Sequence, residues 1–253
     1  MSIYWAMLLE RSVDNEVVAN VMDIAGVCAV AGYIRIPMSY TRTDQARNNI
    51  VDVFLKHSRG DDDVLVMLDN DHMMPRDVVV RLASQVDATH EIVGALAFRR
   101  SLPHDPCFFI RSPDGNGFDV TTHFTNGLMQ CMCVGTGAIA IRKSALLKLQ
   151  VAGTKRLFFR YSYNEASEVQ RSEDFEFGVL CEKAGIPHWV DTSFYIPHQT
   201  RKYVGPEDFY AVLKEANDEP DKTNARYARI GLRFSRDDSG DGASAQHVEA
   251  VNA

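Results

Sequence analysis

The chain has 253 residues, a mass of 28.3 kDa and a formal net charge of −7. That length fits one α/β domain of ordinary size, and 45% hydrophobic with 24% charged residues is the composition of a globular protein in water. The negative balance argues against nucleic-acid binding by bulk electrostatics, and the apolar runs are too short for a membrane span.

Met1-Ser2-Ile3-Tyr4-Trp5 has no basic stretch before an apolar core, so no signal peptide is expected. The five cysteines, Cys28, Cys107, Cys131, Cys133 and Cys181, are an odd and scattered set that fits reduced thiols in a cytosolic compartment. Cys131-Met132-Cys133 has no second Cys/His pair at zinc spacing and reads as buried small hydrophobes.

In chain order, Ile3 to Leu8 is the first expected strand. Asp14 to Ile24 is a helix, with Val17, Val18, Val21 and Ile24 at helical spacing. Cys28 to Ile36 reads as a second strand, ended by Pro37. Thr43 or Asp44 caps a helix to about His57, with Ala46, Ile50, Val51, Phe54 and Leu55 on its buried face. Val64 to Leu68 is apolar without alternation, as in a strand buried on both faces. Pro75 fits the first position of another helix, with Val78, Val79, Leu82 and Val86 inward, and Glu91 to Phe98 is the next strand. Strands alternating with helices at this spacing imply a parallel sheet with helices packed on it.

Beyond Arg100 the pattern becomes antiparallel. Cys107 to Ile110 and Phe118 to Phe124 flank a Gly-rich turn as a hairpin. Leu128 to Val134 and Ala138 to Ile141 are short strands split by Gly135-Thr136-Gly137. Helices follow at Lys143 to Leu149, from Ser172 to near Ala184, at Pro206 to Asn217 and at Asn224 to Phe234, with Trp189 to Ile196 extended. Residues 235–253 read as a disordered tail.

The chemistry concentrates at Asp69-Asn70-Asp71-His72, directly after the buried strand. Carboxylates at the carboxyl end of such a strand sit where open α/β sheets bind ligands, and two oxygen donors one residue apart suit a divalent cation carrying a phosphate. A polar loop capping the next helix would look the same. Arg47 and Asn48 are expected in the first turn of their helix, where backbone N–H groups favour anions and Arg adds a forked donor. A solvated Arg is the competing reading. Glu173 and Asp174 also fall in a first helical turn, where the helix dipole alone favours acids by roughly 0.3–1 kcal/mol.

Asp44-Gln45-Ala46-Arg47-Asn48, Leu68-Asp69-Asn70-Asp71, Gly135-Thr136-Gly137, Ser172-Glu173-Asp174-Phe175 and Ile196-Pro197-His198 occur in that order. Over roughly residues 40 to 200 the set resembles a glycosyltransferase of the GT-A fold, family 2 type, and most of all small stand-alone enzymes of bacteriophages and prokaryotes. The resemblance implies an α/β, Rossmann-like fold with a mostly parallel central sheet and a small antiparallel element after the metal-binding motif. It implies one domain over residues 1–234, with a nucleotide-sugar half to about residue 100 and an acceptor half after it.

The resemblance also implies roles. Asp71, Asp69 and His198 would hold a divalent cation, Mn²⁺ rather than Mg²⁺, since imidazole suits the softer ion. Asp69, Arg47, Asn48, Arg99, Gly135, Gly137 and Arg201 would hold the donor, with Arg100 an alternative to Arg99. Asp174, with Glu173 beside it, would be the catalytic base that takes the proton of the acceptor hydroxyl, so that transfer inverts configuration. His72 is expected to orient the loop or pack below it. The donor would be a UDP-sugar. The hydroxyl acceptor is open, a modified DNA base or a glycan among the choices. The enzyme would act in the cytoplasm, that of the host if the chain is phage-encoded. With no membrane-anchoring helix pair, single-sugar transfer is expected rather than processive synthesis.

Two competing functions remain. A nucleotidyltransferase uses metal and carboxylates on a similar sheet, but residues 9 to 16 contain no Gly for its phosphate loop. A non-catalytic nucleotide-sugar or glycan-binding module would not need both Asp71 and Asp174. Arg226, Arg229, Arg233 and Arg236 form a basic stripe that reads as a solvated helix face, or as a docking surface for a phosphate-bearing acceptor.

Overall fold

The computed structural model describes residues 1–8, 14–37, 41–113, 118–121, 123–154, 156–200, 204–218, 232–234 and 248–250. The elements are β1 (Ile3–Leu8), α1 (Asn15–Val30), β2 (Ile34–Arg35), α2 (Thr43–His57), β3 (Val64–Asp69), α3 (Val78–Gln85) and β4 (Ile92–Ala97). There follow β5 (Phe108–Arg111), β6 (Phe118–Val120), β7 (Leu128–Cys131), β8 (Cys133–Val134), β9 (Ala138–Arg142) and α4 (Lys143–Leu149). The last are β10 (Ser162–Tyr163), β11 (Val169–Arg171), α5 (Glu173–Lys183), β12 (His188–Ile196), α6 (Pro206–Asp218), β13 (Leu232–Phe234) and β14 (Val248–Ala250).

A seven-stranded sheet in the order β2-β1-β3-β9-β4-β12-β7 forms the centre. β1, β2, β3, β4 and β12 run one way, while β7 and β9 run against them. The sheet is therefore mostly parallel, with β9 inserted antiparallel between β3 and β4. A smaller antiparallel sheet, β13-β14-β6-β5-β8, packs beside it, with Val134 of β8 against Gly94 of β4.

Alternation along the strands divides the core in two. Tyr4, Ala6, Leu8, Leu65 and Met67 pack with Ala46, Ile50 and Phe54 of α2 and with Phe177 and Cys181 of α5. Ile3, Trp5, Met7, Val64, Val66 and Leu68 pack with Ile24 and Cys28 of α1 and with Val78 and Leu82 of α3. Val64 to Leu68 are wholly buried, as an unbroken apolar run demands. The central parallel strands thus end on one edge, where β3 delivers Asp69 and β12 delivers His198.

Several expected boundaries move. α1 continues to Val30 and takes in the first part of the expected second strand. Cys28 lies one turn beyond Ile24 on the buried face, and the chain turns only at Gly32, whose φ of 71° suits a residue without Cβ. α3 begins at Val78 rather than Pro75, because both backbone groups of Met74 are held by the Asn20 amide at 2.7 and 3.0 Å. Leu128 to Val134 is two strands, and β7 and β8 belong to different sheets on either side of Met132. Cys131 and Cys133 are both buried, and burial pushes both thiols well above their ordinary value.

The expected helix over 224–234 and the disordered tail fall mostly outside the described residues. Leu232–Phe234 and Val248–Ala250 are strands, so Arg233 is not on a helix and the tail is not wholly irregular. Strand pairing at a sheet edge uses backbone groups alone and needs no apolar composition. Arg226, Arg229 and Arg236 lie outside the described residues. No helix among the described residues is long and apolar enough to cross a membrane.

Candidate functional site

The segments after β3 and β12 meet. Met73 N–H donates to the Pro197 carbonyl at 3.0 Å and Gln199 N–H to the Asp71 carbonyl at 2.7 Å, pairing His72 with His198 across a short antiparallel bridge. The two imidazoles stack, with ring centroids 3.9 Å apart and planes 24° from parallel. Asp71 lies against both. Its Oδ2 is 3.4 Å from His198 Nε2, and its Oδ1 is 2.8 Å from His72 Nδ1.

The donor atoms of Asp71, His72 and His198 all fall within 4.8 Å of one another. Asp71 Oδ1 and both ring nitrogens of His72 are buried and lack a hydrogen-bond partner, so the 2.8 Å contact is close without hydrogen-bond geometry. His198 Nδ1 lies 2.9 Å from the Phe98 carbonyl. A carbonyl only accepts, so Nδ1 carries a proton, and Nε2 is the nitrogen that faces Asp71. Burial holds the His72 imidazole below its ordinary value, against the pull of Asp71. Burial also opposes charge on Asp71, yet the imidazoles of His198 and His72 hold its carboxyl well below the usual carboxylate range. One carboxylate, two imidazoles and orphaned buried donor atoms fit a divalent transition metal. His72, expected to orient the loop or pack below it, lies in the same cluster as Asp71 and His198.

Gly137 makes room for this arrangement. A Cβ there would lie 2.7 Å from His72 Cε1 and 2.9 Å from Nε2. At Gly135 a Cβ would lie 2.9 Å from Cys107 Cβ. The glycines expected to let a ligand approach thus admit protein atoms, although both also line the cavity beside the site.

That cavity has a volume of ≈ 650 Å³, within the range of small-molecule sites. Its wall includes Asp69, Asp71, His72, His198, Arg100, Thr136, Glu173 and Asp174, and Thr41, Arg42 and Thr43 at the start of α2. The N-termini of α2 and α5 both open onto it; that of α5 carries Glu173, Asp174 and Glu176 in its first turn, so the start of α2 is the one suited to an anion.

Arg47 departs from expectation. It lies in the second turn of α2 and is 1% exposed. Its Nη2 donates to both Asp69 oxygens at 3.0 Å, its Nη1 to the Thr136 carbonyl at 3.3 Å and its Nε to Glu173 at 3.5 Å. It is a buried brace joining α2, β3, the Gly-Thr-Gly segment and α5, with its donors already committed. Asp69 is correspondingly neutralised by Arg47 and is not part of the three-residue donor cluster. Asn48 does not line the cavity. Its carboxamide oxygen accepts from Phe158 and Phe159 N–H, and its nitrogen donates to the Phe159 and Asp44 carbonyls.

Glu173 and Asp174 are neighbours with different environments. Glu173 is buried against Arg47 and accepts from the Tyr161 hydroxyl; burial raises its pKa, Arg47 opposes and Asp174 adds to the rise. Asp174 is half-buried on the cavity wall, its Oδ1 accepting from Phe175 N–H at 2.8 Å and from the Ser172 hydroxyl. Asp174 faces the space where an acceptor could stand, whereas Glu173 faces the brace.

Arg99 is drawn away by Asp105 at 3.5 Å, and Arg100 takes the place on the cavity wall. Its Nη2 donates to Asp71 Oδ2 at 2.8 Å. Arg201 lies outside the described residues. Sequence reasoning passed over Thr41 and Arg42 and took Thr43 only as a helix cap, although all three line the cavity at the start of α2.

No family model matches the chain, and no curated protein matches it. Among solved structures it is similar to A197 from STIV, at 14% identity over 82% of this chain and 92% of that one, with a TM-score of 0.46. It is similar to a mutant beta-1,4-galactosyltransferase 7 of Drosophila in complex with manganese, UDP-Gal and xylobiose, at 10% identity over 100% of this chain and 96% of that one, TM-score 0.44. A third similar structure is the inositol-1-phosphate CTP transferase from T. maritima, at 11% identity over 88% of this chain and 96% of that one, TM-score 0.41.

Proposed function

We propose that the chain is a metal-dependent glycosyltransferase that moves one sugar from a nucleotide-sugar donor to a hydroxyl acceptor. The observation that carries this reading is the convergence of Asp71, His72 and His198, with orphaned donor atoms, on a cavity that Asp174 also lines. The ordered motifs of the GT-A resemblance agree with it. Asp71, His198 and His72 would hold the cation, which when bound neutralises charge on the departing diphosphate.

The chain's own groups supply the rest. The N-terminus of α2 binds the anionic part of the donor. Arg47 keeps Asp69 and Glu173 in place and so fixes the floor on which the donor rests. Asp174 accepts the acceptor proton on its free carboxylate oxygen as that hydroxyl attacks, giving inversion at the anomeric carbon. A UDP-sugar and Mn²⁺ are the pair to test first.

The test has two parts. A thermal-shift panel of UDP, GDP, CDP, ADP and dTDP with and without Mn²⁺ should show one metal-dependent shift, lost in Asp71→Ala. At a hundred times its dissociation constant a ligand stabilises by about 2.7 kcal/mol, a shift of several degrees in a domain this size. Asp174→Asn should keep that shift and lose sugar transfer by at least about a hundredfold. Full activity in Asp174→Asn would remove the residue from its role, and no shift with any nucleotide would remove the transferase reading.

A further inference from the structure

Resting on that reading of the Asp71 centre, we propose that Arg100 is an exchangeable counter-ion, holding Asp71 before the cation arrives and moving to the ligand's diphosphate afterwards. Asp71 Oδ2 has two side-chain neighbours, Arg100 Nη2 at 2.8 Å and His198 Nε2 at 3.4 Å. The guanidinium thus occupies one of the two oxygens through which Asp71 can hold a metal, the one that faces His198 Nε2. A guanidinium and a divalent cation on one carboxylate repel, so each weakens the other's hold on Asp71.

The loop that carries Arg100 is built for this exchange. Arg99 N–H donates to the Asp105 carbonyl at 2.9 Å and His104 N–H to the Ser101 carbonyl at 2.9 Å, so the backbone on either side is knitted. Arg99 is committed to Asp105, which is 1% exposed. Only the Arg100 side chain extends over the cavity, and it is 53% exposed, free to swing on its stem. A half-exposed ion pair is weak enough for a divalent cation to break. Once displaced, the guanidinium needs an anion, and a diphosphate entering the same cavity offers it a forked acceptor.

The consequence is a thermodynamic coupling. Binding of cation and diphosphate should be synergistic, because each removes the cost of freeing Arg100 that the other would otherwise bear. Without Arg100, the cation should bind the empty protein more tightly and the diphosphate should gain less from the cation.

The experiment is isothermal titration of the full chain with Mn²⁺ alone, with inorganic pyrophosphate alone and with each in the presence of the other. Wild type, Arg100→Gln, Arg100→Lys and Arg99→Gln are compared, with folding checked by thermal melting. Arg100→Gln should bind Mn²⁺ up to about fivefold more tightly and bind pyrophosphate at saturating Mn²⁺ at least about tenfold more weakly. Arg100→Lys should fall between, and Arg99→Gln should match wild type in coupling. Mn²⁺ binding unchanged or weakened in Arg100→Gln, in a protein that does bind Mn²⁺, overturns the exchange alone. Absence of Mn²⁺ binding in every variant overturns both the exchange and the metal-site reading beneath it.

Discussion

Replacing Arg47 by Met separates the buried brace from a solvated phosphate donor. The substitution keeps the bulk of the stem and removes a guanidinium that is 1% exposed and bonded to Asp69, Glu173 and Thr136. The side chain of Asp69 is 23% exposed and can be rehydrated, whereas that of Glu173 is only 8% exposed. Glu173 is then a buried acid without its cation, and burial already raises its pKa from an ordinary value of 4.5. Without the guanidinium nothing opposes that rise, so the folded state favours the protonated acid more strongly than wild type does. The sign follows from a folded pKa above the unfolded one: stability is present below the unfolded value and is lost as pH rises through the folded one. Urea unfolding of wild type and Arg47→Met at pH 7.5 and pH 5 should show a deficit of about 3–5 kcal/mol at pH 7.5 that shrinks at pH 5. Adding Glu173→Gln should recover much of the loss at pH 7.5. A variant as stable as wild type, or a deficit independent of pH, would refute the brace.

Two further predictions concern single side chains. Gly137→Ala would place a Cβ 2.7 Å from the His72 ring, which cannot retreat because it stacks on His198; Mn²⁺ affinity should fall by about ten- to a hundredfold in a titration, while the fold persists by circular dichroism. His188 is wholly buried with neither ring nitrogen hydrogen-bonded, and burial lowers its pKa to about 3 from an ordinary 6.5. The folded state therefore resists protonation, and wild type should lose about 2 kcal/mol relative to His188→Leu between pH 7 and pH 5, measured by urea unfolding; parallel pH profiles would show that His188 is not desolvated as described.

Local pattern was enough for the strands and helices that flank the sheet. Val64 to Leu68 announced a doubly buried strand, and the spacing of Ala46, Ile50, Val51 and Phe54 announced the buried face of α2, because burial imposes those periods on any sequence. It also placed Asp69 and Asp71 at a strand end and Asp174 in a first helical turn. What the sequence could not decide was which charged groups spend their charge on each other. Arg47 and Glu173 are 126 residues apart and meet only when α2 and α5 pack on one face of the sheet. His72 and His198 become stacked donors only because the ends of β3 and β12 bridge. Arg99 and Arg100 are equivalent as residue types, and the fold separates them by giving Arg99 a buried carboxylate. Ion pairing and ligand geometry depend on distance and desolvation, quantities set by tertiary packing and absent from the order of residues along the chain.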